Sequence, residues 1–150
     1  MKKVSSERVL LDVNVLLALA WPNHQFHAVA TNRLNGSGDL WATCALTELG
    51  FIRLSTNAHV VGQSVSPKKA ASLLAAMVSD SKHFFIEPLP SPVEPPHLQD
   101  VSRVLGAKQL TDLYLLRIAA TAQARFLTFD GKLAELSRGI CEVEVLGRFR

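Results

Sequence analysis

Apolar residues follow two alternating patterns along this chain. Short runs rich in Val, Leu, Phe and Ile recur at 8–11 (RVLL), 40–42, 83–86 (HFFI), 125–128 (RFLT) and 143–146. Continuous apolar runs of this length read as strands buried on both faces. Longer stretches of helix formers lie between them. One covers 13–20 and ends at Trp21-Pro22, because the residue before a proline is pushed out of the helical region. A second covers 24–34 and is closed by Gly36-Ser37-Gly38. A third covers 45–54, with Leu46, Leu49, Phe51 and Ile52 as its apolar face. Ser66-Pro67 supplies a cap and a first-turn proline for a helix over 68–78. Residues 89–96 hold four prolines and read as an extended connector. A helix over 98–105 stops at Gly106, and a nearly all-apolar helix over 111–124 reads as buried on most sides. Strands alternating with helices predict an α/β sandwich with a mostly parallel sheet, whose ligands bind beyond the carboxyl ends of the strands.

Composition narrows the class. The 150 residues are one domain's worth, and 48% hydrophobic with 19% charged is globular composition. Two cysteines are too few for a disulfide framework, and Cys44, beside Ala42 and Thr43, reads as a small core residue. The apolar stretch 15–21 is far short of the roughly 20 residues a membrane helix needs. Lys2 and Lys3 are followed by Glu7, Arg8 and Asp12, which interrupt any signal-peptide core, so the expectation is a soluble cytoplasmic protein. A net charge of +3 is compatible with a polyanionic partner and does not by itself identify one.

Four acids stand where charge is out of place. Asp12 follows the first strand and Asp130 follows the fourth; Glu48 interrupts an apolar helix and Asp112 opens a buried one. Each has an ordinary explanation. Asp12 and Asp112 (or Thr111) can cap helices, Asp130 before Gly131 can make a turn, and Glu48 can face solvent. Taken together in an α/β pattern, all four point to one end of the sheet. Two unit charges about 5 Å apart repel by roughly 3 kcal/mol at an effective dielectric near 20. A cation offsets such a cluster, and all-oxygen ligands suit Mg²⁺ or Mn²⁺. The implied chemistry is phosphoryl transfer or phosphodiester hydrolysis.

Leu11-Asp12-Val13-Asn14-Val15-Leu16-Leu17, the Thr47-Glu48 pair, Thr111-Asp112 and Thr128-Phe129-Asp130 resemble the PIN-domain family, and in particular the VapC-type toxin ribonucleases of bacterial toxin–antitoxin pairs. Trp21-Pro22-Asn23-His24 and the stretch from Trp41-Ala42-Thr43-Cys44 to Glu48-Leu49-Gly50-Phe51-Ile52-Arg53 are similar to that subgroup. The resemblance covers about residues 10–133. It implies a single PIN-like nuclease domain over 1–150, folded as a three-layer α/β/α sandwich and acting as a Mg²⁺- or Mn²⁺-dependent endoribonuclease. Asp12, Glu48, Asp112 and Asp130 carry over as the catalytic, metal-binding acids, and Asn14, Thr47 and Thr128 as supporting residues. It further implies an RNA substrate, a small antitoxin protein as partner, and a homodimer. Asn57-Ala58 departs from the Asn-Pro often found at that point, and the last motif offers one acid, Asp130.

Other residues stay open. His24 and His27 have a spacing that can hold metal, against the plainer role of exposed or capping imidazoles. Arg117 has two roles open to it, a substrate phosphate or a buried acid. Arg148 and Arg150 form a basic tail. Trp21, Trp41 and Tyr114 can stack on bases, though Trp41 and Tyr114 have apolar neighbours that favour core packing. A haloacid-dehalogenase-like phosphatase also begins strand–Asp, but needs a second Asp where Asn14 stands. A response-regulator receiver is disfavoured by the lack of paired acids in the first loop. A binding module without activity gains nothing from clustered like charges.

Overall fold

A computed structural model describes residues 7–104 and 106–147. Thirteen elements follow one another: β1 (Arg8–Leu11), α1 (Val13–Ala20), α2 (His27–Asn35), β2 (Leu40–Thr43), α3 (Ala45–Ser55), α4 (Ala58–Val61), α5 (Pro67–Met77), β3 (His83–Phe85), α6 (His97–Arg103), α7 (Lys108–Thr121), β4 (Arg125–Thr128), α8 (Leu133–Leu136) and β5 (Val143–Val145). The strands form one sheet in the order β3-β2-β1-β4-β5, and every pairing is parallel.

Strand alternation divides the core in two. Val9, Leu11, Trp41 and Leu127 point to one face, where α1, α3 and α5 cover them with Val15, Leu16, Phe51 and Leu74. Leu10, Ala42 and Phe126 point to the other, where α7 and α8 cover them with Leu113, Leu116, Ile118 and Leu133. This is the expected α/β/α sandwich, and Cys44 is fully buried in the second core.

The chain runs outward from β1 to β2 and β3, then returns to place β4 on the opposite side of β1. The gap between the carboxyl ends of β1 and β4 is therefore the point where strand order reverses, the place such sheets reserve for ligands.

Several elements differ from the sequence expectation. The second helix begins at His27, not 24, because His24 takes the Phe26 N–H on its Nδ1 and closes a turn after Pro22. The short α4 was not expected; Asn57 caps it through the His59 N–H, and Gly62 ends it at φ 76°. The long apolar helix starts at Lys108, so Asp112 lies within its body and does not cap it. The expected helix over 98–105 runs His97–Arg103, and Leu105 lies outside the described residues, as do Lys2, Lys3, Arg148 and Arg150.

On α3 the expected apolar face holds in part: Phe51 is fully buried and Ile52 packs on the core. Leu46 and Leu49 are exposed (37% and 63%), whereas Thr47, Phe51 and Ser55 face inward. Gly50 permits a close approach: a Cβ there would meet Val13 Cγ2 at 2.8 Å, so a larger residue would force α3 or the start of α1 to shift.

The aromatic residues are anchored. The buried Trp21 donates to Ser55 Oγ (3.1 Å), Trp41 to Asp80 (2.9 Å), and the Tyr114 hydroxyl to the Pro90 carbonyl (2.6 Å). Trp21 and Trp41 therefore have no face free to stack on a base.

Arg117 pairs with a buried acid. Its Nε and Nη2 donate to the two oxygens of Asp100 at 2.9 and 2.8 Å, and Asp100 is 3% exposed. The guanidinium holds the Asp100 carboxyl below the usual carboxylate range. Removing one partner of a buried pair costs about 3 kcal/mol, because it leaves a charge uncompensated. Arg117→Leu is expected to lower the melting temperature by roughly 6–12 °C. Adding Asp100→Asn should recover part of that loss; thermal melts of the single and double variants check both outcomes.

Candidate active site

The register of β1 against β4 builds the centre of the site. Leu11 stands opposite Leu127, and the Asp12 N–H continues the ladder to the Leu127 carbonyl at 2.9 Å. Asp12 and Thr128, the next residue along each strand line, are thereby brought together. Asp12 is the N-cap of α1, its Oδ1 accepting from the Val13 N–H at 2.8 Å. Its Oδ2 accepts from the Thr128 hydroxyl at 2.7 Å. The capping role and the cluster role are both real.

Thr128 is fully buried and acts as a hub. Its oxygen also accepts from the Asp130 N–H at 3.0 Å and from Asn14 Nδ2 at 3.4 Å. Asn14 reaches back through Oδ1 to the Phe129 N–H, 3.4 Å away. Asp130 makes the turn its Gly131 neighbour suggests, accepting from the Lys132 N–H at 3.0 Å.

Asp112 reaches the same place from α7. Burial, followed by the charges of Asp12 and Asp130, pushes its carboxyl up to about 6. Asp12 is also raised, by burial first, against the hydrogen bonds from Thr128 and Val13 and with the Asp130 charge adding to the rise. Three carboxylates thus feel one another across the switch point.

Glu48 is held differently. Its Oε2 accepts from the Thr43 hydroxyl at 2.6 Å, and Thr43 Oγ1 lies 2.7 Å from His83 Nε2. The charge of Glu48 acts on His83, while those of Asp12 and Asp130 act on Asp112. Thr47 turns inward: its hydroxyl accepts from the Cys44 N–H and closes a capping box at the start of α3. Sequence reasoning did not single out Thr43 or His83. The available signal was positional, since Thr43 ends β2 as Thr128 ends β4, each a buried hydroxyl donating to an acid.

His24 and His27 each have their Nδ1 engaged locally. His24 Nδ1 is taken by Phe26, and His27 Nδ1 lies 2.7 Å from the Ala18 carbonyl. The His24 ring instead stacks on Phe129, with centroids 6.4 Å apart, at the edge of the site.

Among the described residues, no three His, Cys, Asp or Glu side chains converge as a ready-made metal cage. An apolar cavity of about 640 Å³ opens beside the site; Thr111 and Leu113, which flank Asp112, line it, but none of the four acids does.

Parallel sheet, switch-point carboxylates and buried strand-end threonines define an α/β domain with an acidic site at its switch point, and comparison with known proteins gives its family. The PIN-domain profile matches residues 9–139, and the chain belongs to that family. It is 41% identical over 136 residues to ribonuclease VapC39 of Mycobacterium tuberculosis, covering 89% of this chain and 97% of the relative. Ribonucleases VapC38 and VapC44 of the same organism are each 38% identical, over 86% and 85% of this chain and 89% of either relative.

The crowding of Asp112 has a measurable sign. Folded Asp112 binds its proton more tightly than unfolded Asp112, so stability falls as pH rises from 3.8 to about 6. Above that range the whole penalty applies. Asp112→Asn removes it and, without divalent metal at pH 7.5, is expected to raise the melting temperature by roughly 2–6 °C. The gain should shrink below pH about 6. Thermal melts across pH check this, and a variant that melts lower at pH 7.5 would contradict a crowded anionic site.

Proposed function

We propose that this protein is a Mg²⁺- or Mn²⁺-dependent endoribonuclease, the toxin of a VapBC-type toxin–antitoxin pair, acting in the cytoplasm. The observation that carries the proposal is the mutual crowding of Asp12, Asp112 and Asp130 at the β1–β4 switch point, in a chain similar to proteins named ribonucleases.

The donor set fits a hard cation. It is all oxygen, and the repulsion it stores is what a divalent charge relieves. Mg²⁺ keeps most of its waters and takes one or two protein carboxylates plus substrate phosphate, so a three-ligand cage is not required. One or two carboxylates among Asp12, Asp112 and Asp130 would hold it, with Glu48 completing the acidic set. Once bound, the ion supplies Lewis acidity to the phosphodiester and acidifies an attacking water.

The chain's own groups do the rest. The Val13 N–H and the Thr128 hydroxyl fix both oxygens of Asp12, so that carboxylate arrives oriented. Asn14 and Thr128 hold the 128–130 turn against α1. Water attacks phosphorus in line and gives up a proton, the P–O3′ bond breaks, and the departing O3′ takes up a proton from solvent, so the products carry a 5′-phosphate and a 3′-hydroxyl. A small antitoxin protein would block this site, and the toxin would work as a homodimer. No helix among the described residues is long and apolar enough to cross a membrane.

Purified protein incubated with total cellular RNA should cut at discrete sites with Mg²⁺ or Mn²⁺ and not with EDTA. Asp12→Asn keeps a good helix cap and so should keep the fold. Its cleavage is expected to fall by more than about a hundredfold, beyond the loss of an outer-shell partner alone. Mg²⁺ at about 100 times its Kd should stabilise the wild type by about 2.7 kcal/mol and should not stabilise the variant. Metal-independent cutting, or full activity in Asp12→Asn, would sink the proposal. Folded, partner-free protein that cuts nothing would favour a binding module instead.

A further inference from the structure

Thr43 and His83 form a directed relay onto Glu48. Thr43 ends β2 and is fully buried. Its single hydroxyl proton must serve Glu48 Oε2 at 2.6 Å, since a carboxylate has none to give. The 2.7 Å contact between Thr43 Oγ1 and His83 Nε2 is then a hydrogen bond only if Nε2 donates. The order is therefore His83 Nε2–H to Thr43 O–H to Glu48, each bond polarising the next.

Strand register produces this arrangement. Trp41 stands opposite His83 in the β2–β3 pairing, and Thr43, two residues on, shares its face. The imidazole sits edge-on against Trp41, with centroids 4.6 Å apart, and the Trp41 indole is itself tied to Asp80 at 2.9 Å. Burial holds the imidazole below its ordinary pKa, against the upward pull of Glu48 and Asp80. A neutral ring carries one N–H, so the relay also selects the tautomer.

We infer that His83 is a positioning residue: acting through Thr43, it fixes one oxygen of Glu48 and so aims the other. This rests on the proposed place of Glu48 among the metal-holding acids. It goes further in assigning that acid a partner on a neighbouring strand, as outer-shell groups orient the ligands of a metal.

The relay can be tested without metal. Histidine ¹⁵N spectra of the metal-free protein should show His83 as the Nε2–H tautomer, with a slowly exchanging proton that Thr43→Val releases. An Nδ1–H tautomer would overturn the inference. Its role is then read from Mn²⁺ affinity by electron paramagnetic resonance and from RNA cleavage. His83→Leu, which keeps an apolar body against Trp41, should weaken Mn²⁺ binding and slow cleavage by roughly 10- to 100-fold. Thr43→Val should do the same, and the double variant should be no worse than either, as residues of one relay are not additive. His83→Gln retains an N–H donor and should recover most of the loss, which a merely structural role would not predict. Wild-type Mn²⁺ affinity in His83→Leu, or full additivity in the double variant, would overturn the inference. Glu48→Gln separates the two failures. If it loses Mn²⁺ while His83→Leu does not, only the relay's role falls; if it too binds like wild type, the metal role of Glu48 falls and the inference with it.

Discussion

The parallel pairing of β1 with β4 is the constraint on which the rest of the site depends. It brings Leu11 opposite Leu127 and so delivers Asp12 and Thr128 to each other at the strand ends. Those residues are more than a hundred positions apart in sequence; Asp12 directly follows one short strand buried on both faces and Thr128 ends another. The apolar cores on either side of the sheet hold the register, since a one-residue slip would exchange Val9 and Leu11 with Leu10 between two differently shaped cores. Burial on both faces thus supplies the stability that offsets like charges meeting at its edge.

A shared device manages those charges. Two buried threonines, each the last residue of its strand, donate a hydroxyl to an acid: Thr128 to Asp12 and Thr43 to Glu48. A hydroxyl at this position reaches the carboxylate without adding positive charge, so the acid is oriented but not neutralised. That differs from Asp100, where the bidentate Arg117 both orients and compensates the carboxylate. The electrostatic result follows the same division: Asp100 is held low, while Asp12 and Asp112 are pushed up. An acid kept charged and paired serves the fold; acids kept crowded, with no ion pair to a cation among the described residues, suit an incoming one.

Helix packing connects to the same centre. Gly50 lets α3 lie against Val13, the first residue of the helix that Asp12 caps. The start of α1, the capping acid and the α3 crossing are therefore mechanically one unit. Glu48, one turn into α3, takes its position relative to Asp12 from that crossing, while the Thr43 hydroxyl sets its side chain.

Much of this was legible in the sequence. Apolar runs located all five strands within a residue or so, because strands buried on both faces leave a continuous hydrophobic signature. The four acids stood out because each interrupts or ends an apolar run, and burial is what makes a charge conspicuous in sequence. Helix starts were less legible: His24 closes a turn by a local side-chain bond, and the first turns of α7 are polar, so apolar periodicity points to neither start. On α3, Phe51 and Ile52 lie on the covered face as expected, while Leu46 and Leu49 are exposed, because the side of α3 that is covered depends on how it crosses a different helix. Only the tertiary structure decided which side chains meet. Pairing Thr43 with His83, Arg117 with Asp100, and Asp112 with Asp12 and Asp130 requires strand order and crossover geometry. Those follow from how two cores close around a twisted sheet, and local patterns along a chain carry no record of that closure.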